Sequence, residues 1–151
     1  MRYLFDTNIF IHYLRETTVF HQIQTTYSPL KKGNFPFVSI ATIGELQSIS
    51  KQAGWGQKRM QKLEDLLREF VVVEIRYGSL IDKYADIDAF SQRKLPHLSP
   101  QPPTPRNMSK NDLWIAATAS VLNARLLTTD RDFDHLDQVF LELIRVEVPL
   151  K

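Results

Sequence analysis

The chain contains no cysteine. That absence excludes disulfide scaffolds, thiolate zinc sites and cysteine nucleophiles together. No apolar run approaches the length of a membrane span, so no membrane association is expected. None of the five glycines lies before Gly33, so the first strand-to-helix turn carries no glycine-rich phosphate loop. The four histidines, His12, His21, His97 and His135, show no metal-ligand spacing. Charge of one sign is also missing: Lys+Arg 19 against Asp+Glu 17 gives +2, too mild by itself to announce nucleic acid. The opening MRYLFDTNIF meets Asp6 before a signal-peptide core could form, so a cytoplasmic location is expected.

What remains has ordinary globular composition. The 151 residues are 43% hydrophobic and 24% charged, which suits one domain over residues 1–151 with a buried core. Tyr3-Leu4-Phe5 is a short apolar run that stops at Asp6, and reads as a buried strand. Asn8 to Leu14 and Val19 to Tyr27 have helical spacing. Phe37 to Ile40 is a second strand or strand end, and Ser39 can cap a helix over Ile40 to Ala53. Gln57 to Glu69 carries Met60, Leu63, Leu66 and Leu67 on one stripe and Lys58, Arg59, Lys62 and Arg68 on the other. Val71 to Ile75 is the clearest strand, and Leu80 to Leu95 is helical. A loop at about 95–108 follows, with five of the eight prolines between Pro96 and Pro105. Leu113 to Leu122 is apolar nearly all round, which predicts a deeply buried helix. Leu126 to Thr129 is another strand, and the last lies within Phe140 to Val148. Short apolar strands alternating with helices define an α/β fold, a small parallel sheet with helices on both faces.

Ligands of such sheets bind at the carboxyl ends of the strands. Asp6 and Asp130 each follow a strand and share that edge. Glu45 lies one to two turns into the helix after Val38. Asp112 opens the apolar helix. Each acid also has a local reading: Asp6 as a helix cap, Asp112 as the acidic partner of a Ser109-x-x-Asp112 capping box, Glu45 as an exposed helix residue, and Asp130 as a turn residue. Jointly the four argue for more. At ~5 Å and an effective dielectric of 20, each like-charge pair costs about 3 kcal/mol, so their convergence calls for a cation. Oxygen ligands without cysteine or paired histidine suit Mg²⁺ or Mn²⁺. Such ions activate water and neutralise phosphoryl charge.

FDTNIFI at Phe5 to Ile11, the acid of SIATIGEL at Ser39 to Leu46, NDLWIAATA at Asn111 to Ala119 and LLTTDRDF at Leu126 to Phe133 resemble the four blocks of PIN-domain nucleases. The resemblance is nearest to the VapC-like toxins of prokaryotic toxin–antitoxin pairs, and it spans nearly the whole chain in order. It implies a PIN-like three-layer sandwich and metal-dependent cleavage of single-stranded RNA. It also implies metal-binding acids at Asp6, Glu45, Asp112 and Asp130, with Asn8, Asn111 and Thr129 as polar supports beside them. Asp132 is a further candidate for a second metal. An antitoxin partner and a homodimer follow from the same resemblance. The proline-rich stretch Leu95 to Met108 departs from the family's short, often glycine-containing connection.

An anionic substrate agrees with the remaining charge. Setting the four acids aside leaves 19 basic against 13 acidic side chains. Lys51, Lys58, Arg59, Lys62, Arg93, Lys94, Arg106 and Lys110 are candidates to guide phosphates. The competing readings are a phosphatase of the haloacid-dehalogenase type and a non-catalytic PIN-fold scaffold that binds RNA or protein. The phosphatase would need a second Asp where Asn8 stands. The scaffold reading is weakened by the presence of all four acids.

Overall fold

The computed structural model describes residues 1–76 and 78–150. The chain runs β1 (Arg2–Phe5), α1 (Thr7–Arg15), α2 (Thr18–Thr26), β2 (Phe35–Ser39), α3 (Ile40–Gln52), α4 (Gln57–Leu67), β3 (Val71–Val73), α5 (Ser79–Ser91), α6 (Lys110–Leu122), β4 (Arg125–Thr128), a 3₁₀ turn (Arg131–Leu136) and β5 (Glu142–Arg145). The sheet is wholly parallel, in the order β3-β2-β1-β4-β5. Starting from β1, the chain builds outward on one side and then returns to the other. The reversal falls between β1 and β4, where a ligand crevice is expected in an open parallel sheet.

Side-chain alternation along the central strands makes two cores. Tyr3 and Phe5 of β1 and Leu127 of β4 face a core with Ile9, Phe10, Val19, Ile23, Leu46 and Leu63 from α1 to α4. Leu4 and Leu126, one residue out of phase, face a second core with Ile87 and Phe90 of α5, Ile115 and Ala116 of α6, and Phe133. Helices therefore cover both faces of the sheet, as a three-layer sandwich requires. The apolar helix α6 buries Leu113 and an unbroken run from Ile115 to Ala119.

Three elements differ from the sequence reading. The most strand-like stretch forms the shortest strand. β3 keeps only Val71–Val73, at the sheet edge, with Val71 and Val72 exposed. An edge strand pairs on one side only, so its β-branched residues are not enclosed. Helix α5 ends at Ser91 rather than reaching Leu95, because Arg93 adopts a left-handed backbone (φ 60). The proline-rich loop is a strap pinned to its surroundings. The Gln101 amide donates to the Leu95 and Leu98 carbonyls, and Arg93 donates to the Pro103 carbonyl. Backbone N–H of Arg106 donates to the Ser91 carbonyl at 2.7 Å. No helix of the described residues is long and apolar enough to cross a membrane.

Candidate metal centre

Asp6 follows β1 and begins α1, so one residue serves strand end and helix cap. Its Oδ1 accepts the Thr7 backbone N–H, and its Oδ2 accepts the Thr128 hydroxyl, both at 2.7 Å. The residue is only 5% exposed. Burial pushes its carboxyl up to about 7, against the pull of the Thr128 and Thr7 hydrogen bonds and with help from the charges of Asp112 and Glu45.

The Thr128 hydroxyl also accepts the Asp130 backbone N–H at 2.9 Å. It thus ties together the ends of β1 and β4. The family resemblance points to Thr129 as the supporting hydroxyl. That residue instead donates its backbone N–H to the Asn8 side-chain oxygen at 3.5 Å. The register explains the offset: Phe5 pairs with Leu127, so the next residues, Asp6 and Thr128, lie opposite each other.

Asp112 lies in the first turn of α6. Ser109 caps that helix by accepting the Asp112 N–H at 3.1 Å. This is half of the expected capping box. Among the described residues the reciprocal bond is not made, which leaves the Asp112 carboxylate for other contacts. Burial pushes that carboxyl up to about 6, opposed by Ser109 and reinforced by Asp130, Glu45 and Asp132. Asp130 caps the 3₁₀ turn through Oδ1, which accepts the Asp132 N–H at 2.9 Å. The local readings of Asp6 and Asp130 hold, that of Asp112 holds only for the Ser109 cap, and none prevents the three acids from converging.

Glu45 projects from α3. Its Oε1 is buried and has no hydrogen-bond partner among the described residues. Burial raises its carboxyl, against the influence of Thr7 and Asn111. Asp6, Glu45 and Asp112 thus feel one another's charge, and Asp112 also feels Asp130 and Asp132.

Oxygens of Asp112, Asp130 and Asp132 all lie within 4.8 Å of one another. Asp132 therefore joins the cluster, because the turn that Asp130 caps folds the chain back onto it. Asp6 and Glu45 are outside that triple; both Asp6 oxygens are already engaged. Three hard donors beside an unpartnered buried carboxylate oxygen fit a divalent cation that prefers oxygen.

Two cavities touch the acids. One of about 440 Å³ is lined by Ala41, Gly44, Glu45, Ser48, Ile49 and Asn111. The other, of about 250 Å³, is lined by Thr104, Arg106, Asn107, Met108 and Asp132. Among the basic candidates, only Arg106 lines either cavity. Lys62 is engaged by the Leu14 carbonyl and Glu16, and Arg59 lies over Trp55. The His12 ring bonds Thr17, and the His135 ring bonds Ser91. Trp114 packs on Tyr84 and Phe133 is fully buried, so both are core residues rather than stacking platforms.

An acidic, cation-compatible centre at the switch point of a parallel three-layer sheet places the chain among α/β proteins that work at the carboxyl edge of their strands. The family model for the PIN domain matches residues 3–139, and the chain belongs to that family. Solved structures share the fold. A chain from the crystal structure of VapBC2 from Rickettsia felis, bound to a DNA fragment from their promoter, superposes with TM-score 0.73 at 21% identity, covering 95% of this chain and 98% of that one. VapBC-1 from nontypeable Haemophilus influenzae gives TM-score 0.68 at 23% identity, with 96% and 98% covered. FitAcB from Neisseria gonorrhoeae gives 0.69 at 20%, with 95% and 96% covered. No curated protein sequence matches the chain.

Proposed function

We propose that this PIN-domain protein is a divalent-metal-dependent endoribonuclease that hydrolyses RNA phosphodiesters. The observation that carries the reading is the meeting of Asp112, Asp130 and Asp132 oxygens within 4.8 Å, beside the buried Asp6 carboxyl and the buried Oε1 of half-buried Glu45. Asp112, Asp130 and Asp132 would hold Mg²⁺ or Mn²⁺, and Asp6 and Glu45 would complete the anionic shell. A bound divalent ion supplies water activation and neutralisation of phosphoryl charge.

The chain's own groups do the positioning. Thr128 holds the Asp6 carboxylate and the Asp130 backbone in fixed relation. Asn8 receives the Thr129 N–H and steadies the same turn. Asn111 lies beside Glu45 at the mouth of the larger cavity, where it can orient a water or a ribose oxygen. No histidine or lysine base is needed. Hydrolysis adds the hydroxyl of water to phosphorus and sends a proton to the departing ribose oxygen. The acidic centre fixes where that exchange occurs.

The biological setting that fits is a cytoplasmic toxin held by a cognate antitoxin, with the toxin as a homodimer. Likeness in fold to chains of VapBC and FitAcB structures supports it. The test is cleavage of a mixed RNA pool by wild type and Asp112→Asn, with Mg²⁺, with Mn²⁺ and with chelator. Metal-dependent cutting lost in the variant is expected. A folded protein that neither cuts nor responds to metal overturns the reading in favour of a binding scaffold.

A further inference from the structure

The smaller cavity is walled by the proline-rich strap on one side and by Asp132 on the other. Its volume of about 250 Å³ lies below the ~300–1,000 Å³ of drug-sized pockets, so it admits part of a nucleotide, a phosphate and a base edge, rather than a whole ligand. Its chemistry is specific. Among the described residues, no carboxylate lies within ion-pair distance of the Arg106 guanidinium. One of its nitrogens donates to the Arg131 carbonyl at 3.3 Å, which leaves most of its donor fork unused. An arginine beside an acidic cluster, yet not paired with it, is placed for a second anion.

Asn107 is set differently. Its Oδ1 accepts the Gln92 side-chain amide at 2.7 Å. The same Gln92 amide donates to the Arg106 carbonyl at 3.0 Å. Gln92 thus fixes the orientation of the Asn107 amide, with one of its oxygen's two lone pairs engaged and its N–H donors without a partner among the described residues. Met108 closes the wall, its sulfur receiving the Ser91 hydroxyl at 3.4 Å. The strap is anchored by bonds to the end of α5 before any ligand arrives, which lowers the ordering cost of binding.

We propose that Arg106 and Asn107 form a nucleotide subsite beside the acidic centre. Arg106 takes the phosphate next to the one being cut. Asn107 selects bases whose edge presents acceptors, guanine over adenine. Reading adenine uses the asparagine oxygen and N–H together, and here the oxygen is turned toward Gln92; guanine presents O6 and N7, both acceptors, and needs only the N–H side. This inference rests on the endoribonuclease reading and adds to it a residue that grips the strand and one that selects the base.

The test uses single-stranded RNA probes identical except for guanine or adenine at the position flanking the cut. The cut position is mapped first with wild type. Binding is then followed by fluorescence anisotropy in an Asp112→Asn background that does not cut. Arg106→Ala is expected to weaken both probes about tenfold and to lower the salt slope by about one. Arg106→Lys, which keeps the charge without the fork, should fall between, and it serves if the alanine variant does not fold. Asn107→Ala should leave the adenine probe unchanged and remove a guanine preference of roughly fivefold or more. Wild type that cuts RNA, with Arg106 variants that bind both probes undiminished, overturns the subsite alone. Loss of the Arg106 effect together with absence of cutting by wild type overturns the nuclease reading as well.

Discussion

The Thr128 hydroxyl donates to Asp6 Oδ2 across the β1–β4 boundary at 2.7 Å, although 122 positions separate the two residues in the sequence. The same oxygen accepts the Asp130 N–H. One buried hydroxyl therefore ties Asp6 to the backbone of Asp130. The first bond follows from in-register pairing of β1 with β4, and the second closes the turn that leaves β4.

Thr128→Val should be costly. It leaves the buried Asp6 oxygen and the Asp130 N–H without their partner, a loss of about 1–3 kcal/mol. Cleavage should fall tenfold or more, since both acids lose their positioner. Thr128→Ser should recover much of both, and Thr129→Val should do little. Chemical denaturation and initial cleavage rates check the series. Equal losses at 128 and 129 would contradict the assignment.

The metal-free protein should lose stability as pH rises. The Asp6 carboxyl is raised from an ordinary 3.8 to about 7 in the fold, and Asp112 from 3.8 to about 6. Between those values the folded chain holds protons that the unfolded chain has released. Their contribution is complete below pH 3.8 and is lost as pH climbs through 6 and 7. Melting in chelator should therefore show Asp6→Asn gaining on wild type between pH 5 and pH 8. Parallel curves for the two proteins would remove the raised carboxyl as the cause.

Divalent ions should reverse that trend. Mg²⁺ or Mn²⁺ at 100 times its dissociation constant stabilises by about 2.7 kcal/mol. Asp132→Asn should weaken this response, as should Asp112→Asn and Asp130→Asn, whereas Asp86→Asn on the exposed side of α5 should not. A thermal-shift titration decides it. A full response from Asp132→Asn would place that residue outside the ion's shell.

Growth offers an independent reading. Expression of wild type without its proposed antitoxin should arrest a bacterial host, and Asp6→Asn should relieve the arrest at equal protein level. Equal inhibition by both would remove nuclease activity as the cause.

The sequence made some of this legible and hid the rest. Tyr3-Leu4-Phe5 and Leu126-Leu127 announce strands by their own apolar runs, so Asp6 and Asp130 could be set at one edge. Ser39 and Ser109 reveal helix starts by capping chemistry, which is local. The choice between Thr128 and Thr129 is not local. It depends on which β1 residue pairs with which β4 residue, and a shift of one reverses the side-chain direction. Asp132 is legible only as a further candidate, because nothing nearby in sequence shows that Asp130 folds the turn back. The Gln92–Asn107 bond joins residues 15 apart across five prolines, a pairing no periodicity announces.

Asp6 and Asp130 also start helical segments, and Asp112 sits within the first turn of another. The mutational routes out of activity are therefore unequal. Asparagine caps a helix start about as well as aspartate, and alanine does not. A chain selected for loss of toxicity can discard charge at residues 6 and 130 through asparagine and remain soundly folded. Through alanine it surrenders the helix start along with the charge. Spontaneous survivors that still make full-length protein should therefore carry the carboxamide more often than the methyl.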